Sequence, residues 1–139
     1  MNQTLDKFKE HLKKMRQYEQ AVCLLNWDLQ TMAPKKGVES KLETLGFFST
    51  ESFKLSTSEE YGAMLQELSR PELFAQLDEG MQLTVKRGLR DYQRFQRVPQ
   101  DFYTDYVTTS ARSEKMWEEA KRAGDFSLFS PWLDKMISM

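Results

Sequence analysis

Side chains able to do chemistry are few in this chain, and their spacing sets what chemistry is open to it. A zinc hydrolase site on a helix needs two histidines one turn apart, a glutamate base between them and a third ligand. His11 is the only histidine, so an HExxH site is excluded by count. Lys7, Lys9, Lys13 and Lys14 surround it in sequence, and a solvated surface imidazole is the expectation. Cys23 is the only thiol. It lies in an apolar run without a second histidine to activate it, and reads as an inert core cysteine. Glu39 and Glu43 stand one helical turn apart, as a metal-binding carboxylate pair would. Acids just after Pro34 and Gly37 also answer the helix dipole, which is the simpler use. No glycine-rich phosphate loop occurs. No catalytic residue and no metal ligand is assigned.

Arg87, Arg90, Arg94 and Arg97 step by three and four with Tyr92 and Phe95 interleaved. That is the spacing of a phosphate-binding face with stacking aromatics. The whole chain, however, carries 20 basic against 21 acidic side chains, a net charge of −1. A solvated helix face with its aromatics turned inward is the expectation, and no nucleic-acid partner.

The stretch LNWDLQTMAPKKG, residues 25–37, raises a separate question, because a tryptophan–aspartate pair ends the most apolar helix. In one reading Trp27 fills the core, while Asp28 accepts backbone hydrogen bonds freed where the helix breaks between Thr31 and Pro34. In the other, Trp27, Asp28 and Thr31 belong to the wall of a cleft.

The elements that position these residues are helical. Leu5, Phe8, Leu12, Met15, Tyr18, Val22, Leu25 and Leu29 form one stripe, the mark of an amphipathic helix. Its first half has a charged back; from Ala21 to Leu25 apolar residues go all the way round, as for a segment inside something. Pro34 and Gly37 end it. A shorter helix carries Val38, Leu42 and Leu45, and STESFKLSTS reads as a polar connection. Thr57 with Glu60, and Ser69 with Glu72, fit capping boxes, with Pro71 at a first-turn position. A long helix should bury Phe74, Leu77, Met81, Val85, Leu89, Tyr92 and Phe95. Pro99 separates it from another holding Phe102, Tyr106, Ala111, Trp117 and Ala120, and Gly124 stops that one. A last apolar segment carries Phe126, Phe129, Trp132, Leu133, Met136 and Ile137. No alternating strand pattern or hairpin turn occurs. The expectation is an all-α antiparallel helical bundle of about five to six helices, in one domain over residues 1–139.

A single cysteine allows no intrachain disulfide. No apolar window approaches the roughly 20 residues of a membrane span, and the amino terminus has no signal-like core. A cytoplasmic location without membrane partners is expected. The apolar pattern runs to Met139 without a capping residue, as in a chain cut from something longer.

The segment LNWDLQTMAPKKG followed by ESKLETLGFFS resembles the amino-terminal signature of the carboxypeptidase Taq family of zinc metallocarboxypeptidases. Trp27, Asp28, Thr31, Pro34 and Gly37 match it, with Met32 and Ala33 shifted or substituted. TSEEYGAMLQEL and RDYQRFQRVPQDF are similar to further family segments. Ser110, Ala111, Trp117, Ala120, Asp125, Phe126, Phe129, Pro131 and Leu133 fall in the family's order and spacing. Two positions depart: Phe53 and Lys54 stand where the family often has His-Glu, and Lys41 where Arg is usual.

The resemblance implies the amino-terminal helical part of a larger all-helical metallopeptidase, often homodimeric. That enzyme's zinc, HExxH motif and third glutamate ligand would lie beyond these residues. Its partners would be the remainder of the enzyme chain and peptide substrates, from which the family releases C-terminal amino acids. Within it, Trp27, Asp28 and Thr31 would form a structural corner or a cleft wall. The competing expectation is a free-standing helical interaction module, with Phe126, Phe129, Trp132 and Ile137 as its partner face. For a severed fragment that face would drive self-association.

Overall fold

The computed structural model describes residues 3–139. The fold is all-α, with no strand among the described residues. Helix α1 spans Gln3–Thr31, and a 3-10 turn at Lys35–Gly37 leads into α2, Val38–Ser56. Then come α3 (Glu59–Leu68), α4 (Pro71–Phe74), α5 (Glu79–Phe95) and α6 (Gln100–Ala123). A second 3-10 turn at Phe126–Leu128 precedes α7, Ser130–Ser138. Two compact units divide the chain, and both α1 and α2 pass from one unit into the other.

The first unit holds the described residues up to Gln20 together with Glu51–Pro99. Its core joins Phe8 of α1 to Tyr61, Met64, Leu65 and Leu68 of α3, and to Val85 and Tyr92 of α5. Tyr61 is the hub: it stacks on Phe8 with ring centroids 5.9 Å apart and meets Tyr92 edge-on at 6.2 Å. His11 departs from the surface expectation. It is half-buried, its ring stacks on Tyr61 at 4.9 Å, and its Nε2 lies 3.0 Å from the Leu55 carbonyl. Lys7 and Lys14, one helical turn to either side, stay exposed along the same groove, while the His11 ring itself is covered by Tyr61.

Three expected boundaries move. Residues 49–56 are helix rather than connection: buried Phe53 anchors the segment, and the Thr50 hydroxyl donates to the Gly46 carbonyl. The hydroxyl bond to the preceding turn occupies a side chain that would otherwise compete with the helix ladder, and burial of Phe53 favours the helix. The cap of α3 is Ser58, which accepts from the Tyr61 amide at 3.2 Å, while Thr57 donates to the Phe53 carbonyl. Ser69 is not the N-cap of α4, a position Arg70 takes; it closes the C-terminal end of α3, its hydroxyl donating to the Leu65 carbonyl. The long helix expected from Phe74 onward is broken. Asp78 caps α5 by accepting from the Met81 amide at 2.8 Å, and the Gln82 side chain donates to the Phe74 and Leu77 carbonyls across the break. Pro71 begins α4 as read.

The second unit comprises Ala21–Thr50 and Gln100–Met139. Leu29, Leu42 and Leu45 form its core, flanked by Val22, Leu25, Ala33, Val38 and Ala111. Gly46 lets α2 approach α6 closely, since a β-carbon there would lie 2.7 Å from the Thr108 methyl. One turn on, the Thr50 and Thr104 hydroxyls are hydrogen-bonded at 2.9 Å. Helix α6 buries small residues, Thr109, Ser113 and Ala120. Phe102, Tyr106 and Trp117, expected inside, are 41–47 % exposed. Gly124 ends α6 with φ 66°, a left-handed conformation costly for any other residue.

Candidate functional site

The corner between α1 and α2 gathers the residues that the sequence singles out. The last turn of α1 closes on itself: the Met32 and Ala33 amides both donate to the Asp28 carbonyl at 2.9 Å. The Thr31 hydroxyl donates to the Trp27 carbonyl at 2.7 Å. Pro34 then fixes an extended residue, and the Gly37 amide donates back to the Pro34 carbonyl at 2.8 Å. Leu29, Leu42 and Leu45 pack beneath. Burial of these leucines turns the chain, and local hydrogen bonds hold the turn.

Polar side chains lock the corner from outside. The Asp28 carboxylate pairs with Lys41, one turn into α2. The freed amides near the break therefore use the Asp28 carbonyl, not its side chain as the sequence suggested. From α6, Lys115 donates to the Leu29 carbonyl at 2.7 Å and pairs with Glu118 at 3.2 Å. Arg112 pairs with Glu39. Neither α6 contact was legible in the sequence, because its partners lie 86 and 73 residues away. A groove of about 550 Å³ opens beside this network, with Leu42 and Trp132 among its apolar walls and Lys35, Glu39, Arg112 and Lys115 among its polar ones.

Trp27 and Cys23 contradict the core expectation. Trp27 is 70 % exposed, as is Leu24, and Cys23 is exposed. The apolar run from Ala21 is wide enough to cover two faces of α1, and the second unit's core takes only the face of Val22, Leu25 and Leu29. Glu43 is exposed. Arg87, Arg90, Arg94 and Arg97 form the solvated face expected of them, with Tyr92 buried; Phe95, expected inside as well, is 44 % exposed at the end of α5.

The fold is all-helical, and polar side chains join α1, α2 and α6 around this corner. The family model of the carboxypeptidase Taq (M32) metallopeptidases matches residues 7–139, and the chain belongs to that family. It is 37 % identical over 130 residues to carboxypeptidase 1 of Bacillus subtilis, covering 94 % of this chain and 26 % of the relative. It is 29 % identical over 138 residues to thermostable carboxypeptidase 1 of Pyrococcus furiosus, covering 99 % of this chain and 27 % of the relative. The crystal structure of BsuCP superposes with a TM-score of 0.93 at 35 % identity, over 99 % of this chain and 27 % of that one. The chain thus spans about a quarter of the length of the relatives it matches, and the match falls on their amino-terminal part.

Among the described residues no three His, Cys, Asp or Glu side chains are grouped to hold a metal ion. The single imidazole is engaged with Leu55 and Tyr61. These residues do not fit a zinc ion. Among them, too, no helix is long and apolar enough to cross a membrane.

Proposed function

We propose that this chain is the amino-terminal helical region of a zinc-dependent metallocarboxypeptidase, a longer polypeptide that releases C-terminal amino acids from peptides. Residues 1–139 act in it as one helical scaffold without catalytic or zinc-ligating residues. Trp27, Asp28 and Thr31 serve as the corner that fixes α2 against the end of α1. The remainder of the enzyme chain is the principal partner, and peptides are the substrates of the whole. The reading includes a cytoplasmic location and self-association of the separated region through the apolar face of Phe126, Phe129, Trp132 and Ile137.

One observation carries the reading. The chain superposes almost end to end on BsuCP, with a TM-score of 0.93, yet accounts for only 27 % of that protein. A fold so closely retained, with no three metal-donor side chains grouped among its described residues, fits a scaffold portion of such an enzyme.

The coding frame past Met139 tests this directly. An in-frame HExxH followed by a further glutamate is expected. The purified 139-residue chain should bind no stoichiometric zinc and leave peptide C-termini intact. A stop codon directly after Met139 would overturn the reading in favour of a free-standing interaction module, and so would zinc-dependent release of amino acids by the chain alone.

A further inference from the structure

The two halves of α1 treat solvent differently. Along its first half the face turned from the core carries Lys7, Lys9, Lys13, Lys14 and Arg16. From Ala21 to Pro34 the only charged side chain is Asp28, and Lys41 neutralises it. In this second half, Cys23, Leu24, Trp27 and Thr31 share one exposed stripe, on the side away from Val22, Leu25 and Leu29. Leu24 and Trp27 are each 70 % exposed. Contiguous apolar surface of this kind marks a contact, since a solvated helix face is ordinarily charged.

We propose that this stripe is the docking face for the carboxy-terminal part of the same longer polypeptide. The inference rests on the functional reading above and assigns that reading a surface. The length of the relatives supports this occupant over a second copy: about three quarters of their chain lies outside the matched part. The stripe's chemistry describes what meets it. It offers an indole, a leucine, a thiol and a hydroxyl without a charge, so the covering segment is apolar and uncharged at its centre, because a buried unpaired charge would cost too much.

Cys23, the chain's only cysteine, is a reporter inside the stripe. Its reaction with a water-soluble maleimide should be fast in the 139-residue chain. It should be slower by roughly tenfold or more when the chain is joined, as one polypeptide, to the carboxy-terminal part of Bacillus subtilis carboxypeptidase 1 with its own cysteines replaced by serine. Carboxypeptidase activity of the joined protein is read in parallel. Activity with an unprotected Cys23 overturns the docking face and leaves the functional reading standing. An independent measurement does not depend on the joined protein folding. A single cysteine placed in full-length Bacillus subtilis carboxypeptidase 1, at the position matching Trp27, should be protected in the native protein and reactive in urea. Equal rates in both overturn the proposal. Protection of Cys23 in the chain alone that grows with concentration, together with a dimer by sedimentation, overturns it in favour of a second copy.

Discussion

The Asp28 carboxylate and the Lys41 ammonium pair across the corner between the last turn of α1 and the second turn of α2. Both side chains are about one-third exposed, 36 % and 32 %. Water therefore screens the pair, and its coupling should be under about 1 kcal/mol. Its use is geometric, since it spans the one break in the chain where Pro34 removes a backbone donor. Lys41→Met should lower the urea midpoint of unfolding by that small amount, and Lys41→Arg should restore it. A double-mutant cycle of Asp28→Asn with Lys41→Met measures the coupling; a value of zero would remove the pair from the corner's architecture.

Gly62 on α3 faces the Tyr92 ring so closely that a β-carbon would collide with it. Two effects compete in Gly62→Ala. Helix propensity favours alanine by about 1 kcal/mol. Displacing a buried tyrosine from a packed core costs about 1–3 kcal/mol. The clash should win, so the variant unfolds at lower urea than the parent. A more stable variant would show that Tyr92 has room to move.

Phe8 and Trp27 lie on the same helix with opposite fates, one fully buried and the other 70 % exposed. Phe8→Ala leaves a cavity against Tyr61 and the α3 leucines and should cost about 3–5 kcal/mol. Trp27→Ala in the separate chain should change stability by less than about 0.5 kcal/mol. Comparable losses in the two variants, read by chemical denaturation, would contradict the assignment of Trp27 to an unpartnered surface.

The heptad-like stripe of α1 was legible because Leu5 to Leu29 repeat at helical spacing, and Pro71 and Gly124 marked real boundaries. Where reading failed, the cause was physical. Serine and threonine in residues 49–57 look like a connection, but their hydroxyls bond within the helix around buried Phe53. Asp78 offered a cap signal that the continuous apolar pattern across Phe74 and Leu77 concealed. Periodicity also cannot say which of two apolar faces a core will take. That is why Cys23 and Trp27 were expected inside, and why α6 hides threonine, serine and alanine while showing Phe102, Tyr106 and Trp117. The corner's outer polar locks, Lys115 on Leu29 and Arg112 on Glu39, depend on contacts that no local pattern encodes.

Metal removal should leave the separate chain unchanged. Since no three donors cluster among the described residues, a strong chelator has no folding energy to withdraw. The thermal midpoint with and without chelator should coincide. A downward shift on chelation would mean a bound ion contributes to the fold.

Alkaline pH should destabilise the first unit through Tyr61. Burial raises its pKa above the ordinary 10.0, and the negative charges of Asp91 and Glu19 raise it further. In the unfolded chain the phenol loses its proton near its ordinary value, whereas the folded protein holds it to higher pH. Above pH 10 the folded state therefore binds more protons than the unfolded one, so stability falls as pH rises toward the folded pKa. Below pH 10 the contribution is fully present. In the second unit Tyr103, also raised by burial, acts in the same direction. Tyr61→Phe keeps the ring against Phe8 and removes the ionisable group, so its unfolding midpoint should decline less steeply with pH than the parent's. Parallel slopes for the two proteins above pH 10 would show that the Tyr61 phenol titrates alike in both states and that its burial does not hold the proton.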